Sequence, residues 1–168
     1  MQKVAFVDRD GTFLSEPEKP EGVDSRETFP LKSMEEFQYM DGGIEGLKTL
    51  ADKGYKLVLV TNQTFLGTPK HPKKMFDKVM NRIKSDLATK NAEFAYIMIC
   101  PHGPDDGCDC RKPSTGGIKR FLSENPDINF AQSLMFGDRD TDRQFEENLG
   151  VRFVKIETNK EFVLPSDI

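Results

Sequence analysis

Two carboxylates stand one residue apart directly after the first apolar run of the chain. Residues 4–7 are Val-Ala-Phe-Val, and Asp8 and Asp10 follow them. Such a run predicts a buried strand with Asp8 at its carboxyl end, and Asp10-Gly11 has the composition of a turn. Both acids would then lie at the rim of a sheet, where open α/β sheets bind ligands. A carboxylate there can form a covalent intermediate with a phosphoryl group, so this pair is a candidate for phosphoryl-transfer chemistry.

A second set of polar side chains follows the apolar run at residues 56–60. It consists of a hydroxyl and two amides, Thr61-Asn62-Gln63. These groups can donate hydrogen bonds to phosphate oxygens. We therefore predict that they bind a phosphoryl group if they lie near Asp8 and Asp10.

Two more acids, Asp138 and Asp142, follow the apolar run at residues 133–136. If they share a crevice with Asp8 and Asp10, up to four acids lie together. Two unit charges ~4 Å apart repel by about 4 kcal/mol at an effective dielectric constant near 20, so such a cluster requires a cation or protons. Hard oxygen ligands beside a phosphate indicate Mg²⁺.

All cysteines of the chain fall within eleven residues, together with one histidine. The four potential ligands are Cys100, His102, Cys108 and Cys110. Three thiolates and one imidazole form a closed tetrahedral set suited to Zn²⁺, with no vacant position for a catalytic water. We therefore predict a structural zinc loop over residues 100–110, which clamps the basic pair that follows it, Arg111 and Lys112.

The elements that must position these groups alternate between strand and helix. Apolar runs predict strands at 4–7, 56–60, 94–99, 133–136 and 151–156, with amphipathic helices between them. This alternation indicates an α/β fold with a doubly wound, mostly parallel, Rossmann-like sheet and helices on both faces. Because the polar motifs follow strands one, two and four, they can converge on one end of the sheet.

One irregular segment interrupts the alternation within the single domain predicted for residues 1–168. Residues 13–41 carry several prolines among charged residues and predict an excursion over the rim, facing the substrate. Glu16 and Asp24 are the candidate residues for substrate contact in this excursion. Neither this segment nor the zinc loop is long enough for a large cap domain, so the pocket should be open.

For two further side chains the sequence predicts a local environment without a role in chemistry. Ser114 is predicted to cap the helix that follows the zinc loop, and His71, in a proline-rich loop, is expected to be solvated.

The stretch from Asp8 to Thr12, Asp-Arg-Asp-Gly-Thr, resembles the D-x-D-G-T signature of the haloacid dehalogenase superfamily of phosphatases. The resemblance implies that Asp8 is the nucleophile and Asp10 the general acid and base, kept protonated by its acidic neighbours. It also implies that Asp8, the backbone carbonyl of Asp10 and Asp138 hold Mg²⁺.

The remaining motifs of that superfamily also have counterparts here. Lys112 lies in Arg-Lys-Pro, which matches the third motif and implies a catalytic lysine that neutralises phosphoryl oxygens. Asp142 would stand behind the metal ligands and orient Lys112. Thr61 and Asn62 would bind the phosphoryl oxygens.

Residues 3 to about 156 are similar to the zinc-containing histidinol-phosphate phosphatase domain of bifunctional histidine-biosynthesis enzymes. The resemblance rests on the two acidic motifs, the zinc loop, Ser15-Glu16-Pro17 and Leu66-Gly67-Thr68. It implies hydrolysis of L-histidinol phosphate to L-histidinol and phosphate. We predict that Asn62, Gln63 and Arg111 bind the substrate, with Glu16 against its amine.

Two alternatives stay open. The catalytic and zinc motifs are shared with D-glycero-D-manno-heptose 1,7-bisphosphate phosphatases, and Thr64-Phe65 stands where Asp-Gly is usual beside the substrate pocket. A different class is a zinc-stabilised phospho-acceptor without turnover, although a mere acceptor has no need of the acid Asp10. The dehydratase half of the bifunctional enzymes is absent from this chain, so association with a dehydratase domain and homo-oligomerisation both stay open.

Length and charge limit the other classes of function. The 168 residues fit one domain with a substantial core, and the formal net charge of −4 argues against a nucleic-acid partner. No apolar run approaches the roughly 18 residues of a membrane span, and the first is too short and wrongly flanked for a signal peptide. We therefore expect a cytoplasmic enzyme that acts on a small phosphate monoester.

Overall fold

Five strands form one sheet in the computed structural model, which describes residues 1–168. They are β1 (Lys3–Val7), β2 (Tyr55–Asn62), β3 (Phe94–Cys100), β4 (Leu134–Gly137) and β5 (Arg152–Lys155). Their order across the sheet is β3-β2-β1-β4-β5, and every neighbouring pair is parallel. The predicted doubly wound sheet is confirmed, and its pairing is parallel throughout.

Four helices cover the two faces of this sheet. They are α1 (Gly43–Asp52), α2 (Lys73–Thr89), α3 (Lys119–Glu124) and α4 (Asp140–Leu149). Alternate residues of β1 enter different cores, because successive side chains of a strand point to opposite faces. Ala5 and Val7 pack in the core that α1 and α2 cover, whereas Val4 and Phe6 pack with Phe121 of α3 and Phe145 of α4.

The segment after β1 is irregular, as its composition predicts. Between β1 and α1 it contains one single-turn 3-10 helix, Met34–Glu36, and isolated bridges such as the one that pairs Leu14 with Tyr39. None of the helices combines the length and apolarity needed to span a membrane.

Two local predictions are wrong. Ser114 caps no helix: α3 begins at Lys119 after a single-turn 3-10 helix, and the Ser114 amide donates to the Arg111 carbonyl in a turn instead. His71 is only 2 % exposed, and its Nδ1 lies 3.0 Å from the Thr64 carbonyl oxygen. The loop after β2 folds back and buries this ring, which the local composition does not reveal.

Candidate active site

The carboxyl ends of β1, β2 and β4 meet at one rim of the sheet. Strand β1 lies between the other two, so Asp8 occupies the centre of that rim. The Asp8 amide donates to the Phe136 carbonyl of β4 at 2.9 Å, which fixes the two strand ends side by side. Asp8 and Asp138 consequently flank the point at which the chain's strand order reverses, where α/β sheets bind ligands.

The turn after Asp8 requires a glycine. Gly11 has a φ of +77°, and a Cβ atom at this position would lie 2.5 Å from Oδ2 of Asp138. The turn therefore presses directly against Asp138. Thr12 Oγ1 lies 3.5 Å from Asp138 Oδ1, and Thr158 Oγ1 donates to Oδ2 at 2.8 Å.

Lys112 reaches the same rim from the loop that follows the cysteines. Its Nζ lies 2.6 Å from Oδ1 of Asp8 and 2.6 Å from Oδ1 of Asp142. Asn62 holds the lysine's backbone: its Oδ1 accepts from the Lys112 amide at 3.0 Å, and its Nδ2 donates to the Lys112 carbonyl at 3.3 Å. Asp8 after β1 and Asp142 of α4 thus fix the buried ammonium group, while Asn62 of β2 fixes the backbone of Lys112.

Asp142 lies in the first turn of α4 and caps that helix. Its Oδ2 accepts from the Arg139 amide at 3.0 Å, while Oδ1 faces Lys112. The amino end of a helix favours a carboxylate. Asp142 is therefore held from two sides, and it is completely buried.

The acids of this cluster shift each other's proton affinity. Burial raises the pKa of Asp8 to about 7, with Lys112 opposing the shift and Asp142 and Asp138 adding to it. Burial likewise raises the pKa of Asp138, with Arg139 opposing. Burial alone would lower the pKa of Lys112, but Asp142 and Asp8 raise it above its ordinary value. The lysine is therefore charged, and Asp8 and Asp138 hold a proton more readily than an exposed carboxyl group does.

The donor set fits a hard divalent cation. One carboxylate oxygen from each of Asp8, Asp138 and Asp142 lies within 4.8 Å of the others, and all three residues are buried. If all three acids ionise, the single positive charge of Lys112 leaves two negative charges in the interior for a divalent cation to balance. Oxygen ligands with an excess of two negative charges are suited to Mg²⁺.

The carboxylate of Asp10 lies in a different environment from the one that the sequence predicts. Its carboxylate pairs with the guanidinium of Arg9, with Nε 3.0 Å from Oδ2 and NH2 3.0 Å from Oδ1. Gln63 Nε2 donates to Oδ2 at 2.7 Å and to Thr61 Oγ1 at 2.7 Å. A cation and an amide hold Asp10, rather than acidic neighbours alone. Gln63 and Thr61 are fully buried, so their predicted substrate contacts stay predictions.

A cavity of about 10 Å³ lies in front of Asp8 and adjoins a larger one of about 610 Å³. Asp10, Asn62 and Lys112 line the small cavity. Three residues that the sequence does not mark as functional, Thr28, Arg139 and Thr141, line it as well. Arg139 could have been found from its place beside Asp138. Thr28 and Thr158 give no local signal, because distant segments carry them to the rim.

Glu16 lines the larger cavity but is already paired. Its carboxylate lies 2.5 Å from NH2 of Arg139 and 3.4 Å from Nζ of Lys19. The Glu16 amide and carbonyl bind the side chain of Asn159. The predicted contact of Glu16 with a substrate amine stays a prediction, and such an amine would compete with Arg139.

The four predicted zinc ligands lie together. Sγ of Cys100 is 3.3 Å from that of Cys110 and 3.6 Å from that of Cys108, and Nδ1 of His102 is 3.3 Å from Cys110 Sγ. These separations exceed the ~2 Å of a disulfide bond. They approach the edges of a tetrahedron with metal–sulfur bonds of about 2.3 Å, roughly 3.8 Å. The donor set therefore fits Zn²⁺.

Arg111 ties this loop to the excursion of residues 13–41. It donates to the His102 carbonyl at 2.9 Å, to Thr64 Oγ1 at 3.3 Å and to the Arg26 carbonyl at 2.6 Å. Arg26 also pairs with Asp105 of the cysteine loop at 2.9 Å. Arg111 and Arg26 both border a cavity of about 270 Å³ beside Lys112.

Comparisons with known proteins agree with this geometry. A family model described as polynucleotide kinase 3 phosphatase matches residues 3–159. Curated relatives named histidine biosynthesis bifunctional protein HisB include one from Blochmanniella floridana, 37 % identical over 91 % of this chain, and one from Actinobacillus pleuropneumoniae, 36 % identical over 95 %. The chain spans 40 % and 41 % of these two relatives, respectively.

Solved structures of phosphatases and related hydrolases have a similar fold. The D,D-heptose 1,7-bisphosphate phosphatase of B. bronchiseptica, complexed with magnesium and phosphate, has a TM-score of 0.75 and 26 % identity. The match covers 94 % of this chain and 82 % of that one. A haloacid dehalogenase superfamily hydrolase from Ehrlichia chaffeensis has a TM-score of 0.59 at 16 % identity, covering 96 % and 94 % of the two chains, and supports the fold alone.

Proposed function

The chain belongs to the polynucleotide kinase 3 phosphatase family of haloacid dehalogenase-type phosphatases, and from that premise we propose that it hydrolyses L-histidinol phosphate through a phosphorylated Asp8. The observation that carries the proposal is the buried Lys112 ammonium between Asp8 and Asp142. It orients a carboxylate at the rim where a phosphoryl group can be held. Membership of a phosphatase family also argues against a phospho-acceptor without turnover.

In the proposed first step, an Asp8 oxygen attacks phosphorus in line with the leaving oxygen. An O–P bond forms, the ester P–O bond breaks, and Asp10 gives its proton to the leaving alkoxide. Lys112 neutralises charge that accumulates on the phosphoryl oxygens. Asn62 and Thr28 line the cavity that would receive these oxygens.

In the second step, a water molecule gives a proton to Asp10 and attacks phosphorus. The bond between Asp8 and phosphorus breaks, and inorganic phosphate leaves. Asp8, the Asp10 carbonyl and Asp138 would hold Mg²⁺, which supplies positive charge to the phosphoryl group when bound. Asp142 keeps Lys112 in place through both steps.

The names of the relatives and the residues that line the cavity favour two candidate substrates. The HisB relatives, about 36 % identical over nearly the whole chain, favour L-histidinol phosphate. A second candidate is D-glycero-D-manno-heptose 1,7-bisphosphate, for two reasons. One solved relative is named for that substrate, and apart from Pro17 the residues that line the 610 Å³ cavity are polar or charged, which suits a polyol. Association with a dehydratase domain or with a second copy stays a prediction.

A substrate panel with purified protein and Mg²⁺ tests the proposal. It comprises L-histidinol phosphate, D-glycero-β-D-manno-heptose 1,7-bisphosphate and a 3′-phosphorylated oligonucleotide, with Asp8→Asn as the blank. We expect the highest kcat/KM with L-histidinol phosphate and no phosphate release by Asp8→Asn. A higher kcat/KM with the heptose bisphosphate would move the assignment to the second candidate. Release by Asp8→Asn at the wild-type rate would refute the mechanism.

A further inference from the structure

We propose that Arg9 and Gln63 are positioning residues for Asp10, and that they receive its carboxylate charge when it gives up its proton during catalysis. The inference rests on the proposed function, because it takes Asp10 as the general acid and base. It concerns two residues outside the acid cluster that would bind the metal. Neither borders the cavity in front of Asp8.

Arg9 directs Nε and NH2 to Asp10 and Gln63. Nε lies 3.1 and 3.0 Å from the two carboxylate oxygens of Asp10, and NH2 lies 3.0 Å from Oδ1. NH2 also donates to Gln63 Oε1 at 2.9 Å. A guanidinium that binds a carboxylate side-on restricts its rotation more than a point charge does.

The other side of the Arg9 guanidinium is apolar. Its Cζ atom lies 5.1 Å from the centre of the Phe76 ring, and NH1 lies 3.6 Å from the Met80 sulfur. Arg9 is only 2 % exposed. Burial of this cation is costly unless it is paired, and Asp10 is the one acid that it reaches, so the charge of Arg9 is compensated only when Asp10 has given up its proton.

Gln63 completes the enclosure of Asp10. Its Nε2 donates to Asp10 Oδ2 and to Thr61 Oγ1, each at 2.7 Å, and its Oε1 accepts from Arg9. All side-chain polar atoms of this buried amide are thereby engaged by the protein. Arg9 and Gln63 thus fix both oxygens of Asp10 from behind, while Asp10 itself borders the cavity.

This arrangement has a specific chemical consequence. When the leaving oxygen takes the Asp10 proton, the O–H electron pair stays on the carboxylate, where Arg9 and Gln63 stabilise it. In the second step a water proton returns to Asp10. Arg9 and Gln63 therefore matter most where the leaving group needs a proton, and least where it departs as a stable anion.

Single-turnover rates with two probe substrates test the inference. p-Nitrophenyl phosphate releases a stable phenolate without protonation, whereas benzyl phosphate releases an alkoxide that requires a proton. We expect Arg9→Met to lower the first-turnover rate with benzyl phosphate at least about tenfold more than that with p-nitrophenyl phosphate, a part of the 10²–10⁴ that general acid catalysis contributes. Arg9→Lys should restore part of the benzyl phosphate rate.

Further variants separate this effect from misfolding. Gln63→Leu removes the amide but keeps Arg9, and we expect the same selective loss to a smaller degree. Met80→Leu changes the packing against Arg9 without touching Asp10, and we expect it to leave the ratio of the two rates unchanged. An equal loss with both substrates in Arg9→Met and Gln63→Leu, or no loss in either, would overturn the inference.

Asp10→Asn distinguishes the inference from the proposed function. If Asp10→Asn selectively loses benzyl phosphate turnover and the Arg9 and Gln63 variants do not, only the positioning role fails. If Asp10→Asn loses both substrates equally, the acid role of Asp10 fails, and the inference falls with it.

Discussion

Lys112 holds its ammonium group between Asp8 and Asp142 in the protein interior. Its side chain is 2 % exposed, and both pairing distances are 2.6 Å. Removal of one member of a buried charge cluster leaves the others without compensation, which typically costs 3–5 kcal/mol. This residue therefore links the stability of the fold to the chemistry proposed for the rim.

We expect Lys112→Met to abolish phosphatase activity and to lower the free energy of unfolding by about 3–5 kcal/mol in the absence of metal. Addition of Asp142→Asn should recover part of the stability but none of the activity, since it removes one unpaired charge. Chemical denaturation with EDTA and a phosphate-release assay measure these quantities.

Lys119→Met is the matched control, because Lys119 and its partner Asp109 are both mostly exposed. This variant should retain the stability and activity of the parent protein. Unchanged stability in Lys112→Met would contradict the ion-pair account.

The sequence reveals those site residues that follow a strand directly. Asp8 and Asp138 are of this kind, because the carboxyl ends of neighbouring parallel strands meet at one rim. Thr158 reaches Asp138 from beyond β5, and no local pattern marks it. Nothing in the sequence around Arg9 indicates its role, and only the structure reveals that it pairs with Asp10. Long-range packing decides these contacts, so spacing alone does not predict them.

The loop between β2 and α2 contains a buried histidine. Burial lowers the pKa of His71 from its ordinary value of 6.5, and its Nδ1 faces the Thr64 carbonyl. The unfolded chain takes up a proton at His71 below about pH 6.5, whereas the folded protein does so only at lower pH. Because the unfolded state then binds more protons, this residue makes the protein less stable as the pH falls below that value.

We therefore expect His71→Asn, which can still donate to Thr64, to lose less stability than the parent protein between about pH 7.5 and about pH 5.5. Urea denaturation at the two pH values, with Zn²⁺ saturating so that His102 stays bound, measures the difference. An identical loss of stability in both proteins would show that His71 is not neutral in the fold.

The strands and long helices follow from apolar periodicity, whereas shorter features do not. Runs such as Lys56–Val60 are almost wholly apolar because both faces of a parallel strand are buried. The prediction that Ser114 caps α3 is wrong, because Ser114 is a residue type that often caps helices but here lies in a turn closed by its own amide. Such local competition between a turn and a helix is settled by the surrounding fold.

The cysteine loop and the excursion of residues 13–41 contact each other beside the candidate active site. Arg111 and Arg26 form the connection, through the Arg26 carbonyl and the pair with Asp105. Lys112 follows Arg111 directly. A disturbance of the cysteine loop should therefore reach Lys112, to which we assign a role in catalysis.

We expect Cys108→Ser to lose bound zinc, to lower the melting temperature and to reduce kcat together, because Lys112 loses its anchor. Zinc content by atomic absorption, thermal unfolding and kinetics on the same preparation measure these effects. Asp109→Asn, an exposed neighbour of the ligands, is the control and should keep its zinc. Zinc loss with unchanged melting and turnover would rule out the anchoring role.

In the proposed mechanism Asp8 carries the phosphoryl group during turnover. The direct measurement is acid quench during the burst of p-nitrophenyl phosphate hydrolysis, followed by mass analysis of the peptide that contains Asp8. We expect one hydroxylamine-labile phosphoryl group on Asp8 in the parent protein and none in Asp8→Asn. Turnover with the phosphoryl group on another residue, or with no covalent phosphate at the height of the burst, would contradict the role of Asp8 as the nucleophile.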